Sequence, residues 1–280
     1  MNNLHRELAP ISDAAWAQIE EETSRTFKRH LAGRRVADMH GPSGSILSAA
    51  GTGHLLPIQA PRDGIFARQR EVKALVELRV PFELERQAID DVERGSNDSD
   101  WQPVKDAARK LAYAEDGAIF EGYAAAGITG IRQGASNPAI TLPDDVREYP
   151  NAFAQGLSAL RLAGVNGPYS VLLDADVYTA LAETSDQGYP VLEHIKRLVD
   201  DKIIWAPAIH GAFLVTTRGG DFDLQIGQDV SIGYLRHTDA TVSLYLQESL
   251  TFRLLTAEAA VALAHPGKSR KSGRAVRGAG

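Results

Sequence analysis

The stretch that decides the fold lies near the end of the chain and reads Val242-Ser243-Leu244-Tyr245-Leu246-Gln247-Glu248-Ser249-Leu250-Thr251-Phe252-Arg253-Leu254. Large apolar side chains occupy 242, 244, 246, 250, 252 and 254, and only Glu248 interrupts that face. A period of two marks a strand with one buried face. At 13 residues the pattern is roughly twice the usual strand of about 5–6 residues. Within Glu71–Leu84, Val76, Leu78, Val80 and Phe82 alternate with Glu77, Arg79 and Pro81, which predicts another strand with one wet face. Pro81 has no N–H to donate, so this strand lies at an edge or ends there. Just upstream, Gly41–Pro61 holds four glycines and three prolines between short apolar pieces. That composition predicts an extended loop or long hairpin without a core of its own. Asp100-Trp101-Gln102-Pro103 opens a helix with Asp100 as its cap. Val104, Ala107, Ala108, Leu111, Ala112, Ile119, Phe120 and Tyr123 form its buried face over about 20 residues, long for a globular protein. A long strand, a long helix and a long loop in one chain suggest a plate-like subunit that tiles, not a compact enzyme.

Before this region, Ser12 to about Leu31 reads as a helix. Ser12 is its cap, acids lead and bases follow, as the helix dipole favours. Trp16, Ile19, Thr23, Phe27 and Leu31 form one apolar stripe at spacings of three and four, and Gly33 ends it. The stripe is either core packing or a docking surface. After Asn137-Pro138 the pattern alternates. It predicts a helix over 151–163, a short buried strand over Tyr169–Leu173, a helix from Asp176, and a polar break over Glu183–Pro190. A helix over Val191–Val199 and strands at 203–206 and 211–218 complete a compact αβ module.

The 280 residues are 44% hydrophobic, enough for a sizeable core. There is no cysteine, which removes thiol catalysis, disulfides and zinc ribbons. The longest apolar run, Ala259–Ala264, falls far short of the roughly 20 residues that cross a bilayer. The N-terminus lacks a signal pattern, so a cytoplasmic address is expected. The net charge of −6 conceals an asymmetry: residues 266–280 carry five bases and no acid. Residues 1–265 therefore hold 25 bases against 36 acids, or −11, a poor surface for nucleic acid. The tail is expected to be disordered, as either a solvated appendage or a polyanion-binding arm. No two of the eight histidines stand three or four residues apart, so no helical metal pair is expected. Gly51-Thr-Gly53 lacks the third glycine of a dinucleotide loop, and Gly41-Pro-Ser43-Gly44-Ser45 is no nucleophile elbow. Catalytic residues, metals and cofactors are each expected to be none.

Several longer strings, taken in order, resemble the encapsulins, bacterial shell proteins of nanocompartments. They include Phe27-Lys28-Arg29-His30 with Gly33-Arg34-Arg35, Ile89-Asp90-Asp91-Val92-Glu93-Arg94-Gly95 and Ile119-Phe120-Glu121-Gly122-Tyr123. Gly167-Pro168-Tyr169, Gly188-Tyr189-Pro190 and the run from Arg218 to Tyr234 continue the series. The likeness spans about 1–265 and is nearest the actinobacterial type, also labelled linocin-type bacteriocins. It implies an α+β fold of the Hong Kong 97 type of tailed-phage major capsid protein. The peripheral domain would begin in 1–45 with the N-terminal helix and continue over 81–135 and 222–265. The extended loop would be 46–80, the axial domain 136–221, and the basic tail 266–280. It further implies a non-enzymatic subunit of a closed icosahedral shell of about 60 copies. The shell would enclose cargo bearing a C-terminal targeting peptide, such as dye-decolourising peroxidase or a ferritin-like protein, with roles in oxidative stress or iron storage. Phe27, Leu31 and Arg34 would contact that peptide. Glu183, Asp186, Gln187 and Tyr189 would line the fivefold pore, or form a solvated loop that never narrows it. Flavin is reported in some members, but no motif here assigns one. The alternatives are a phage-type capsid protein packaging nucleic acid, and a bacteriocin or protease.

Overall fold

The computed structural model describes residues 3–199 and 202–265; the basic tail lies outside the described residues. In chain order the elements are α1 (Asp13–His30), β1 (Asp38–His40), β2 (Ala49–Ile58), β3 (Ala67–Ala74), β4 (Val76–Glu85), α2 (Arg86–Glu93) and α3 (Gln102–Phe120). Then come α4 (Ile131–Gly134), β5 (Ile140–Thr141), α5 (Tyr149–Leu162), β6 (Tyr169–Leu173), α6 (Ala175–Glu183), β7 (Ser185–Asp186), β8 (Tyr189–Pro190) and α7 (Val191–Lys196). The chain closes with β9 (Ile203–Trp205), β10 (Ala212–Thr216), β11 (Phe222–Ile226), β12 (Ser231–His237), β13 (Thr241–Leu254) and β14 (Ala260–Ala264).

β13 organises the first sheet. β4 runs antiparallel along one side of it, from Glu85 opposite Thr241 to Val76 opposite Leu250. β11 and β12 lie end to end along the other side, and β1 adds in parallel to β11. β13 is the only partner of β4 among the described residues, so Pro81 sits on an edge, as expected. The even face of β13 meets the helices: Val242, Leu244 and Leu246 share a core with Ile19 and Phe27 of α1, Leu31 just after it, Leu111 of α3 and Leu84 of β4. At Gly233 the backbone of β12 passes so close to the Tyr245 ring that a Cβ there would overlap it.

The second sheet runs β5-β14-β10-β6-β9. Its inner strands are buried on both faces. Val171, Leu173, Ala212, Leu214, Val261 and Leu263 pack with α5, α6 and α7. Leu172, Phe213, Val215, Ala260 and Ala262 face the end of α3 and the first sheet. Two buried faces explain why Val171–Leu173 and Ala260–Ala264 read as unbroken apolar runs rather than alternating ones. The same fact corrects the expected placement of the last strand with the peripheral strands: β14 pairs antiparallel with β10 and parallel with β5. A strand apolar on both faces needs cover on both, and β14 finds it from α5 on one side and from the end of α3 and the first sheet on the other.

The helices start largely as expected. Ser12 Oγ accepts from the Ala15 N–H at 3.3 Å, and Lys28, Arg29 and His30 close α1. Two expectations on α3 need correction. Asp100 stands one residue too early to be its N-cap, which is Trp101; its carboxylate accepts from the Gln102 N–H at 2.9 Å instead. Tyr123 falls beyond the last turn and is exposed. The helix from Asp176 starts one residue earlier and is capped by Asp174, which accepts from the Val177 N–H at 2.7 Å. The Gly/Pro-rich segment forms the first arm of a hairpin: among the described residues β2 pairs only with β3, and the two make a sheet of their own.

Candidate functional site

α1 carries a groove along one flank. Its cavity is about 810 Å³, walled by α1 and by the turn entering β12, with the N-terminal segment at one end. That segment is tied down where the Tyr234 N–H donates to the Leu4 carbonyl at 2.8 Å. Leu4, Phe27, Leu31, Val230 and Ile232 make the apolar floor, and Arg6, Lys28 and Arg35 stand on the rim with Glu20 and Asp229. The three residues expected to contact cargo therefore line one groove, but they are not equally free. Phe27 and Leu31 are only 3% and 4% exposed, since most of each side chain belongs to the core between α1 and β13.

Arg34 is held by three carboxylates. Its Nε and Nη2 donate to the two oxygens of Glu115 at 2.8 and 2.7 Å, a fork-to-fork pair. Nη1 donates to Asp229 at 2.8 Å, and Nη2 reaches Glu248 at 3.3 Å. Burial by itself would lower the Arg34 pKa, but Glu115 and Asp229 overcome this and hold it above the ordinary guanidinium range. Glu115 and Glu248 are fully buried. Burial, then the neighbouring Glu115, push Glu248 well above the ordinary carboxylate range, and its Oε1 has no hydrogen-bond partner among the described residues. Glu248, the one polar break in the strand that decides the fold, thus sits opposite the guanidinium at the foot of the groove. Beside it, Asp116 accepts from the Ala32 and Gly33 N–H groups, both at 2.8 Å, which fixes the turn after α1. Burial raises Asp116 to about 7, against the lowering effect of those N–H bonds.

Glu183, Asp186, Gln187 and Tyr189 come together at a tight turn after α6. β7 and β8 are joined through Gln187 and Gly188, both at positive φ (48° and 84°). Left-handed backbone at both central positions is the geometry of a two-residue hairpin. Glu183 and Gln187 are exposed and Asp186 half-buried. Tyr189 is held from below: its hydroxyl accepts from Arg197 Nη2 at 2.7 Å, and its ring meets His194 edge-on with centroids 4.9 Å apart. The turn therefore offers acids on a fixed base.

The β2–β3 hairpin and the segment leading into it carry a concentration of exposed apolar side chains. Phe66 is 94% and Ile46 92% exposed, and Leu55, Leu56, Ile58, Ile65 and Val72 are about half exposed. Two strands alone are marginal in water, and this much exposed apolar side chain marks an interaction surface. Sequence reading located this segment but singled out none of these side chains. It also missed Leu4, Val230 and Ile232 in the groove, because each is a short-range apolar residue with no periodic pattern around it.

The fold is that of capsid and particle subunits. It superposes on a virus-like particle protein from Pyrococcus furiosus with a TM-score of 0.61 at 17% identity, covering 88% of this chain and 98% of that one. Microbacterium phage Oxtober96 gives 0.55 at 9% identity, covering 84% and 91%, and the capsid of Myoviridae phage XM1 gives 0.52 at 10%, covering 83% and 90%. The chain thus has the α+β capsid fold of the Hong Kong 97 type expected from its sequence. Residues 1–251 match the Linocin_M18 family, described as an encapsulating protein for peroxidase. Type 1 encapsulin shell proteins of Mycobacterium tuberculosis and Brevibacterium linens are 64% and 56% identical to it, over 95% and 94% of this chain and 100% and 99% of theirs. The chain belongs to the type 1 encapsulin family of shell-forming proteins, and it is a structural protein rather than an enzyme. Among the described residues no helix is long and apolar enough to cross a membrane.

Proposed function

We propose that this chain assembles into a closed icosahedral shell of about 60 copies in the cytoplasm and encloses a cargo protein held by a short C-terminal segment. The observation that carries the reading is the β2–β3 hairpin, whose apolar side chains are left half to almost fully exposed by the described residues of their own subunit. A second copy supplies that cover, and repetition around a closed shell multiplies a modest contact. The expected division into a peripheral domain around β13, an axial domain around α5–α7 and an extended loop gives the hairpin its place as the arm between subunits. The groove beside α1 suits an apolar peptide: its floor is already desolvated, so an incoming side chain gains burial at little ordering cost. A peroxidase is the cargo that the family description names. Oxidative-stress or iron-storage roles follow from the cargo and not from the shell. The turn at Glu183–Tyr189 lines an opening at a symmetry axis, where a ring of acids favours cations over anions.

Electron microscopy of the purified protein tests assembly: uniform hollow particles are expected, and a monomer at micromolar concentration refutes the reading. The groove is tested by co-purification of a tagged cargo segment. Phe27→Asp is a poor variant because it buries a charge in the core. Ser24→Trp fills the groove from the half-buried flank of α1. It is expected to leave shells intact and abolish loading; unchanged loading refutes the groove.

A further inference from the structure

The opposite flank of α1 carries a second recess, separate from the groove proposed for cargo. Residues 22, 25, 26, 29 and 30 face it, while 23, 24, 27, 28 and 31 face the groove, as a period of 3.6 residues requires. The recess is about 400 Å³, within the range of small-molecule sites. It lies between the last turns of α1, the first turns of α3 and Trp205 at the end of β9.

Four permanent cations converge on it: Arg25, Arg29, Lys105 and Arg109. Two are balanced, Arg25 by Glu22 and Arg109 by Asp106. Among the described residues Arg29 and Lys105 make no direct ion pair, although Lys105 is close enough to help lower the Glu22 pKa; Glu22 and Asp106 against four cations leave an excess of two positive charges. Residues 1–265 carry −11, so this concentration of bases runs against the composition of the subunit. Like charges held together destabilise the fold unless an anion joins them. The start of α3 adds the positive end of a helix dipole. One wall is aromatic: the His30 and Trp205 rings lie 5.7 Å apart, and His30 Nδ1 is engaged with the Thr26 carbonyl at 2.8 Å, which fixes the ring. Trp205 is half-buried and so keeps part of its indole open.

We infer that this recess binds a polyphosphate chain, as inorganic triphosphate or as the phosphates of a nucleotide. A single carboxylate neutralises one charge and leaves the other. A di- or triphosphate satisfies both free cations at once and offers oxygens to the arginine forks. In a nucleotide the base has the Trp205 face to stack on.

The test is titration of the assembled protein with sodium triphosphate, ATP and adenosine, by calorimetry and by tryptophan fluorescence. Triphosphate and ATP are expected to bind saturably, more weakly as salt rises, and adenosine to show no saturable binding. Arg29→Gln with Lys105→Gln leaves no buried partner stranded and is expected to weaken both ligands by ~10–100-fold, one to two lost charge-assisted bonds. Lys110→Gln, elsewhere on α3, is expected to change nothing. Trp205→Leu separates the two sources: weaker ATP with unchanged triphosphate assigns a nucleotide, and no change in either assigns the phosphate chain alone. Absence of saturable binding, or full affinity in the double variant, overturns the inference.

Discussion

Replacing Arg34 by Met tests the reading of the buried charge cluster most directly. Methionine fills much of the volume of the side chain and removes the cation that bonds Glu115 and Asp229 and faces Glu248. Glu115 and Glu248 are fully buried, so water cannot replace the guanidinium. Breaking a buried pair from one side costs about 3–5 kcal/mol. For a chain of this size about 2 °C of melting temperature is lost per kcal/mol, so the expected fall is about 8 °C. The pH dependence has a definite sign. A carboxyl group whose folded pKa is raised costs stability progressively as pH climbs from its unfolded value, near 4.5 for Glu248, towards the raised value. Without Arg34 the pKa of Glu248 rises further, but a carboxyl already protonated in both folded proteins widens their difference only above its folded pKa in the unsubstituted one, so the gap between the two proteins never narrows as the pH rises. Scanning calorimetry of assembled shells at pH 5 and pH 8 reads it. A fall below about 2 °C at pH 8, or a fall that shrinks from pH 5 to pH 8, would refute the reasoning.

Replacing Phe66 and Ile46 by Ser removes the two most exposed apolar side chains of the hairpin region. It should leave secondary structure unchanged while size-exclusion chromatography with light scattering shows free subunits, each lost side chain forfeiting about 1.5–3 kcal/mol per interface. Gly233→Ala forces a Cβ into the Tyr245 ring and should cost about 1–3 kcal/mol in thermal unfolding; the added change Tyr245→Leu should relieve most of it. Glu183→Gln with Asp186→Asn should slow quenching of an enclosed fluorophore by caesium and leave or raise quenching by iodide. Equal change for both ions would mean the turn lines no opening.

The local signals in the sequence were sound where one short segment decides its own structure. The alternation over 242–254 became a strand of 14 residues, Tyr169–Leu173 became a strand with the expected ends, and the Gly/Pro-rich segment became half of a hairpin that no third strand joins among the described residues. Helix starts were legible to within a residue: the helix expected from Asp176 begins at Ala175, and the cap expected at Asp100 stands at Trp101. Asp100 still accepts a backbone N–H just inside the helix, so its carboxylate signalled the start without being the cap. The longer ordered strings carried the family. Phe27, Leu31 and Arg34 line one groove in the structure, and the sequence did not show how far each is already committed to the core.

What tertiary structure alone decided is the partnership of distant residues. The run at 260–264 is compatible with either sheet until β10 and α5 show which one can cover both its faces. Arg34 reads as a rim charge in a stretch of basic residues, yet its partners stand 81, 195 and 214 positions away. The charge state of Glu248, the gathering of Arg29 and Lys105 beside Trp205, and the exposure of Phe66 have the same origin. Alternation and capping are set by bonds within a few residues, so the sequence determined them by itself. Burial and electrostatic environment depend on which surfaces close over a residue, and chain closure brings those surfaces from anywhere in the sequence.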